Sequence, residues 1–187
     1  MTKTEENLKA AFAGESQARN KYTYFAEKAK EEGLHFIAKI FEETADNERE
    51  HAKKHFTMLK GIGDTKANLK AAMEGEDHET KSMYPDFAKE AEEDGDKAAA
   101  VSFKMIGKIE EQHRNRYKKL LEMLENGTFF KRDKPIRWKC SVCGFIHEGT
   151  SPPGICPGCG KPQGFYGPEC FCLCEGEDGC TCGCGCN

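Results

Sequence analysis

Two short motifs in this chain place a carboxylate and an imidazole three positions apart: Glu48-x-x-His51 and Glu110-x-x-His113. Residues at this spacing lie on one face of a helix, so each motif presents both side chains in the same direction. Carboxylate oxygens and imidazole nitrogens bind iron or manganese, and paired motifs of this kind on helices of a bundle hold two such ions. The spacing therefore predicts a metal centre on a helical framework.

Further glutamates complete the predicted ligand set. Glu15 precedes Glu48 by 33 positions and Glu76 precedes Glu110 by 34, near-equal separations that a duplicated helical hairpin would produce. Glu79 has no counterpart in the first half, so this additional carboxylate would make the two metal positions unequal. Carboxylates that face one another inside a protein are stable only when cations neutralise them. We therefore expect these residues to bind two metal ions.

Four glycines divide the first part of the chain into helix-length segments: Gly33, Gly61, Gly95 and Gly127. Glycine commonly follows the last turn of a helix, so the sequence predicts four helices of roughly 25 to 30 residues. The fold class is mainly α, a four-helix bundle with carboxylates on its inner faces. The inner face predicted for the third helix contains Leu69, Met73, Glu76, Glu79, Met83 and Phe87.

Two tyrosines lie about two helical turns beyond glutamates of this set, Tyr22 after Glu15 and Tyr84 after Glu76. At that spacing their hydroxyl groups can hydrogen-bond the ligand carboxylates. Ordinary packing inside a bundle explains the same tyrosines equally well. The sequence leaves both interpretations open.

A second type of site is predicted near the end of the chain. Two C-x2-C knuckles, Cys140 with Cys143 and Cys156 with Cys159, are separated by 12 residues, and such knuckles together form a tetrahedral four-thiolate site. Spacing alone does not separate iron from zinc. The metal centre predicted on the helices favours iron, because a one-electron iron site could supply it with electrons. The small core around the site is predicted to contain Trp138, Phe145, Phe165 and Tyr166.

Composition limits the partners and the location of the protein. The net charge of −4 comes from 28 basic and 32 acidic residues in mixed order, without a basic block that would bind nucleic acid. The N-terminus is polar and no stretch of about 18 apolar residues occurs, so we expect no signal peptide, no membrane contact and a cytoplasmic protein. The composition changes near residues 131–135. This change predicts domains at 1–134 and 135–168, with a tail at 169–187.

The tail is unusually rich in cysteine. Its thiols are those of Cys170, Cys172, Cys174, Cys180, Cys182, Cys184 and Cys186. C-x-C repeats of this kind predict binding of soft ions such as Zn2+ or Cu+. An unstructured thiol-rich extension is the alternative interpretation.

These motifs together resemble the rubrerythrin family over residues 1 to about 168, with a ferritin-like bundle followed by a rubredoxin-like module. The most specific matching segments are Glu15, Glu48-x-x-His51, Gly75-Glu76-x-x-Glu79, Met83 to Ala88, Glu110-x-x-His113 and Trp138 to Tyr166. The resemblance implies that seven side chains bind a di-iron oxo centre: Glu15, Glu48, His51, Glu76, Glu79, Glu110 and His113. It implies one further iron on Cys140, Cys143, Cys156 and Cys159.

The resemblance also implies an activity: a non-haem peroxidase that reduces hydrogen peroxide to water and protects against oxidative stress. Electrons would come from an NAD(P)H-dependent reductase or from rubredoxin and pass through the four-cysteine iron, within a homodimer. Glu79, Tyr22 and Tyr84 would relay protons. A ferroxidase that uses O2, a metal-storage or buffering protein, and a one-electron carrier are the alternatives.

Overall fold

The computed structural model describes residues 1–169. The chain is mainly helical, with four helical segments followed by a small three-stranded antiparallel sheet, and this confirms the predicted fold class. Internal contacts divide it into two compact units, of which the first covers residues 1–64 and the second begins at Thr65. The tail cysteines, and the soft-metal site predicted on them, lie outside the described residues.

The first unit is a helical hairpin of α1 (Lys3–Glu31) and α2 (His35–Met58). Thr2 begins α1 with a capping box, since its hydroxyl accepts from the Glu5 N–H while the Glu5 carboxylate accepts from the Thr2 N–H. Small side chains, Ala26, Ala29 and Ala38, are buried near the connection between the helices. They allow the two helices to approach each other closely at that end.

The second unit begins with a helical segment that changes its geometry midway. It consists of α3 (Thr65–His78), a π-helical turn (Glu79–Met83) and α4 (Tyr84–Glu93). The next helix, α5 (Lys97–Glu125), packs along both α3 and α4. The third predicted helix is therefore present, but it is not a regular α-helix throughout.

Three of the four predicted helix-ending glycines adopt the left-handed conformation that favours glycine, with φ of 76° at Gly33, 78° at Gly95 and 67° at Gly127. The prediction for Gly61 was wrong. Lys60 holds the left-handed conformation there, with φ of 56°. Gly61 has a different role, because a β carbon at this position would overlap the ring of Phe56.

The sheet consists of β1 (Ile136–Cys140), β2 (Ile146–Gly149) and β3 (Tyr166–Pro168), in the order β2-β1-β3. Trp138 is fully buried in this module, and its indole N–H donates to the Gly149 carbonyl at 2.9 Å. The predicted core is confirmed for Trp138 and Tyr166 but not for two phenylalanines, since Phe145 and Phe165 are 38% and 40% exposed. Three short strands leave too little buried area to cover four aromatic rings.

Among the described residues, no helix combines the length and the apolar character needed to cross a membrane.

Candidate metal centres

The first carboxylate–histidine group lies in the α1–α2 hairpin. His51 Nδ1 is 2.7 Å from Glu48 Oε2 within α2, and it is 4.0 Å from Glu15 Oε1 on α1. The Glu48 side chain is only 16% exposed, whereas that of His51 is 57% exposed. One carboxylate is thus held against the hairpin while the imidazole remains accessible.

The second group repeats this arrangement in the unit that begins at Thr65. His113 Nδ1 is 2.6 Å from Glu110 Oε2 within α5 and 3.8 Å from Glu76 Oε1 on α3. Burial, followed by the hydrogen bond and the negative charge of Glu110, raises the pKa of Glu76 above its ordinary value. A cation at this position would relieve that repulsion.

The two groups match each other in residue types, in order along the chain and in distances to within about 0.2 Å. In each, one ligand atom from every side chain lies within 4.8 Å of the others. Two carboxylates and one imidazole form a donor set suited to iron. The near-equal sequence separations therefore correspond to a real structural repeat of the hairpin.

The π-helical turn begins at Glu79, one turn after Glu76. Glu79 does not belong to the group formed by Glu76, Glu110 and His113, although its charge contributes to the raised pKa of Glu76. Single π-helical turns inside α-helices are frequent at functional sites. The structure thus places the additional carboxylate beside the second group, on backbone of a different geometry.

The π-helical turn also shifts the buried face of the helix. Sequence periodicity continues the inner face from Met83 to Phe87, but Phe87 is 40% exposed. The buried residues of α4 are Ala88 and Ala91, on the same face as Tyr84. The buried face of the helix therefore shifts by one position in the sequence, because the wider π-helical turn contains one extra residue.

Tyr84 is the better supported of the two candidate tyrosines. Burial, and then the charges of Glu110, Glu79 and Glu76, raise the pKa of Tyr84 above its ordinary value. The phenol thus keeps its proton beside a group of carboxylates. Tyr22 instead packs between aromatic rings, with its centroid 6.2 Å from those of both Phe25 and Phe41.

An open cavity of about 500 Å³ adjoins Tyr84 between α4 and α5. Its lining includes Thr80 and Gly107. The Thr80 hydroxyl is buried and meets no hydrogen-bond partner among the described residues. The cavity therefore has an unpaired hydroxyl and a phenol in its lining, whereas the three side chains of the second carboxylate–histidine group do not line it.

One supporting residue near this group was missed by the sequence analysis. Arg114 follows His113 directly, and its guanidinium contacts Asp77 on α3 at 3.2 Å and Glu111 at 3.3 Å. It ties α5 to α3 beside the two ligands that these helices contribute. In the sequence, two predicted ligands are each followed directly by a charged residue, Glu76 by Asp77 and His113 by Arg114. The opposite charges of Asp77 and Arg114 are the signal that could have revealed this ion pair.

The four predicted cysteines converge in the sheet module. Cys140 Sγ is 3.7 Å from Cys159 Sγ, and Cys143 Sγ is 3.6 Å from Cys156 Sγ. Tetrahedral coordination with metal–sulfur bonds of about 2.3 Å requires sulfur atoms about 3.8 Å apart. The arrangement therefore fits a single tetrahedral ion.

The two knuckles share one backbone design. Gly144 N–H donates to the Cys140 carbonyl at 2.9 Å, and Gly160 N–H donates to the Cys156 carbonyl at 2.8 Å. Both glycines are left-handed, with φ of 77° and 72°. In each knuckle, this turn of the backbone places the second cysteine close to the first.

The surroundings of these thiols favour thiolate at some positions. The backbone N–H groups of Cys143 and Val142 lower the pKa of Cys140. Burial opposes ionisation of Cys156, but the Tyr166 hydroxyl and nearby backbone N–H groups outweigh it and lower the pKa of this thiol to about 6. Thiolates are the form that binds metal.

Helical hairpins with matched carboxylate–histidine groups, followed by a four-thiolate module, define a class of non-haem iron proteins. Residues 6–121 match the family model described as Rubrerythrin, and residues 138–166 match the model of its rubredoxin-like domain. The chain belongs to the rubrerythrin family. The predicted iron cofactors agree with this membership and with both kinds of donor set.

Relatives match along most of their length. Rubrerythrin-1 of Clostridium acetobutylicum is 45% identical over 182 residues, which are 88% of this chain and 93% of the relative. Rubrerythrin of Nitratidesulfovibrio vulgaris is 43% identical over 178 residues, again 88% and 93%. A solved structure of nigerythrin in its fully reduced, all-ferrous state is 31% identical and covers 90% of this chain and 87% of its own, with a TM-score of 0.35.

Proposed function

We propose that this protein is a peroxidase that reduces hydrogen peroxide to water and protects the cell against oxidative stress. The reaction takes up two electrons and two protons, so that H2O2 + 2 e− + 2 H+ gives 2 H2O. The observation that carries the proposal is the presence in one chain of two matched carboxylate–histidine groups and a four-thiolate site. The former suit a two-electron reaction, and the latter suits one-electron transfer.

The proposed ligands of the di-iron centre are the two groups of three and Glu79, and those of the third iron are the four cysteines of the knuckles. Bound iron would supply Lewis acidity and electrons to peroxide. Tyr84 holds a proton close to three carboxylates, so it is the first choice for a proton relay. Glu79 and Tyr22 are the further candidates.

We propose that residues 1–134 form one ferritin-like domain and residues 135–168 a rubredoxin-like domain, within a homodimer. Electrons would enter from an NAD(P)H-dependent reductase or from rubredoxin and reach the di-iron centre by way of the four-cysteine site. The rubrerythrin relatives and the rubredoxin-like match support this route.

Anaerobic stopped-flow spectroscopy of the reduced protein tests the activity. We expect peroxide to oxidise the protein much faster than O2 does, and we expect continuous NAD(P)H consumption when a reductase and rubredoxin are added. Oxidation that is much faster with O2 than with peroxide would instead identify a ferroxidase. Full activity of a Glu48→Ala, Glu110→Ala double variant would contradict the assigned centre.

Removal of residues 170–187 separates the peroxidase from a metal-buffering function. All described ligand residues precede this point, so the shortened protein should keep three irons per chain and its peroxidase turnover. The control is a full-length variant in which the seven tail cysteines are replaced by serine. Loss of turnover in both proteins would show that the tail thiols take part in the reaction.

A further inference from the structure

The hydroxyl group of Tyr166 occupies an unusual position in the four-cysteine module. Tyr166 is only 4% exposed and belongs to the buried cluster that contains Trp138, Cys140 and Cys156. Its hydroxyl is buried, and no described residue meets hydrogen-bond geometry with it. A buried hydroxyl without a partner is unfavourable, so a native structure that retains one usually gives it a role.

The backbone fixes this hydroxyl beside the metal-binding sulfurs. Tyr166 pairs directly with Cys140 across β1 and β3, and the ladder continues through Lys139 and Gly167 to Trp138 and Pro168. The pairing of β3 with β1 therefore fixes the backbone of Tyr166, and packing in the buried cluster fixes its ring.

Cys156 shares the buried cluster with Tyr166, and it is the sulfur whose interaction with the hydroxyl is the largest. The phenol of a tyrosine is protonated at neutral pH and can donate a hydrogen bond. A thiol is a weak hydrogen-bond acceptor, whereas a metal-bound thiolate carries a negative charge and accepts strongly. Binding of a metal ion by Cys156 thus creates the acceptor that the Tyr166 hydroxyl otherwise lacks.

We propose that Tyr166 is a positioning residue for electron transfer: its hydroxyl donates a hydrogen bond to the Cys156 thiolate and raises the reduction potential of the iron in the four-cysteine site. Hydrogen bonds to sulfur withdraw electron density from the ligand, which favours the ferrous state over the ferric state. The inference rests on iron in this site. It does not depend on whether peroxide is the substrate.

The module offers few competing donors of this type. Ser141 is the neighbouring hydroxyl residue, and its hydroxyl donates to the Phe165 carbonyl at 3.0 Å. Its side chain is thus already engaged away from the metal-binding sulfurs. Ser141→Ala therefore removes a hydroxyl from the same module without removing a donor to sulfur, and it is the matched control.

The test is a redox titration of the iron-loaded full-length protein, followed by its sulfur-to-iron absorption bands. We expect Tyr166→Phe to lower the equilibrium constant for one-electron reduction by about three- to tenfold, a shift of about 30 to 60 mV to lower potential. Ser141→Ala should leave the potential unchanged. If the reduction potential of the Tyr166→Phe variant is equal to that of the wild type or higher, the inference is overturned.

A second measurement does not depend on the stability of that variant. Incorporation of 3-fluorotyrosine at position 166 alone makes this phenol a stronger donor, so the reduction potential of the otherwise unchanged protein should rise. An unchanged potential would count against the hydrogen bond. The absence of the absorption bands would overturn both the iron assignment and the inference, whereas a normal potential shift without peroxidase turnover would contradict only the proposed function.

Discussion

Gly107 and Tyr84 approach each other so closely that a β carbon at position 107 would lie 3.1 Å from the β carbon of Tyr84. That distance is shorter than an ordinary van der Waals contact. The β carbon of Tyr84 is fixed to the backbone of α4, so it cannot rotate away. Glycine at this position therefore allows α5 to approach the π-helical turn and places the phenol near the carboxylates.

Gly107→Ala should push α5 and α4 apart at this point. Overpacking costs about 1 to 3 kcal/mol, and the higher helix propensity of alanine offsets about 1 kcal/mol of it. We expect a lower free energy of unfolding in denaturant titration, and slower peroxide turnover because Tyr84 is displaced. Ser102→Ala, at an exposed position of the same helix, is the control. Unchanged stability and turnover would show that the helices separate without penalty.

Tyr84→Phe should slow turnover without loss of iron. The substitution removes a proton donor close to Glu76, Glu79 and Glu110, and losing a positioned proton donor lowers rates by roughly 10²-fold. Tyr22→Phe is the matched comparison, since Tyr22 packs among aromatic rings and should change the rate much less. Steady-state kinetics with iron analysis of each protein measures both effects. Equal effects of the two substitutions would argue against a special role for Tyr84.

Glu110→Gln should reduce the iron content from about three per chain to two or fewer. The amide cannot replace the charge that balances the cation next to His113. Absorption from the four-cysteine site should remain, because its ligands lie in a separate module. Glu50→Gln, which removes an exposed partner of Arg49, is the control and should retain all iron. Full iron content in Glu110→Gln would exclude this carboxylate as a required ligand.

Gly144→Ala and Gly160→Ala should weaken metal binding at the four-cysteine site to similar extents. Each forces a β carbon onto left-handed backbone, at a cost of about 1 to 2 kcal/mol, in equivalent turns of the two knuckles. Competition with a chelator, followed by absorbance, measures the affinity. Gly154→Ala is the control, because a β carbon there meets no atom within 4 Å. A large effect at only one knuckle would contradict their equivalence.

Local spacing made much of the site predictable. Glu48 with His51 and Cys140 with Cys143 interact through backbone geometry that a few neighbouring residues determine, so their contacts follow from the sequence. Gly61 shows the limit of such reasoning, since contact with the Phe56 ring, and not a left-handed conformation, explains the glycine.

Other features depend on contacts between distant segments. The interaction of Arg114 with Asp77 joins residues 37 positions apart. Tyr166 is an ordinary core aromatic in the sequence, and its relation to Cys156 appears only when β3 pairs with β1. The exposure of Phe145 and Phe165 likewise reflects the small size of the folded module, which residue types alone do not determine.

The π-helical turn at Glu79–Met83 makes the number of residues in this helix as important as their identity. An α-helix rotates by about 100° per residue, so losing one residue between Glu76 and Tyr84 would turn every later side chain by that angle. Tyr84, Ala88 and Ala91 would then turn together, out of the orientation in which the two alanines are now buried. Substitutions at exposed positions of the turn preserve this register, whereas a single insertion or deletion does not. The segment should therefore tolerate changes of residue type far better than changes of length.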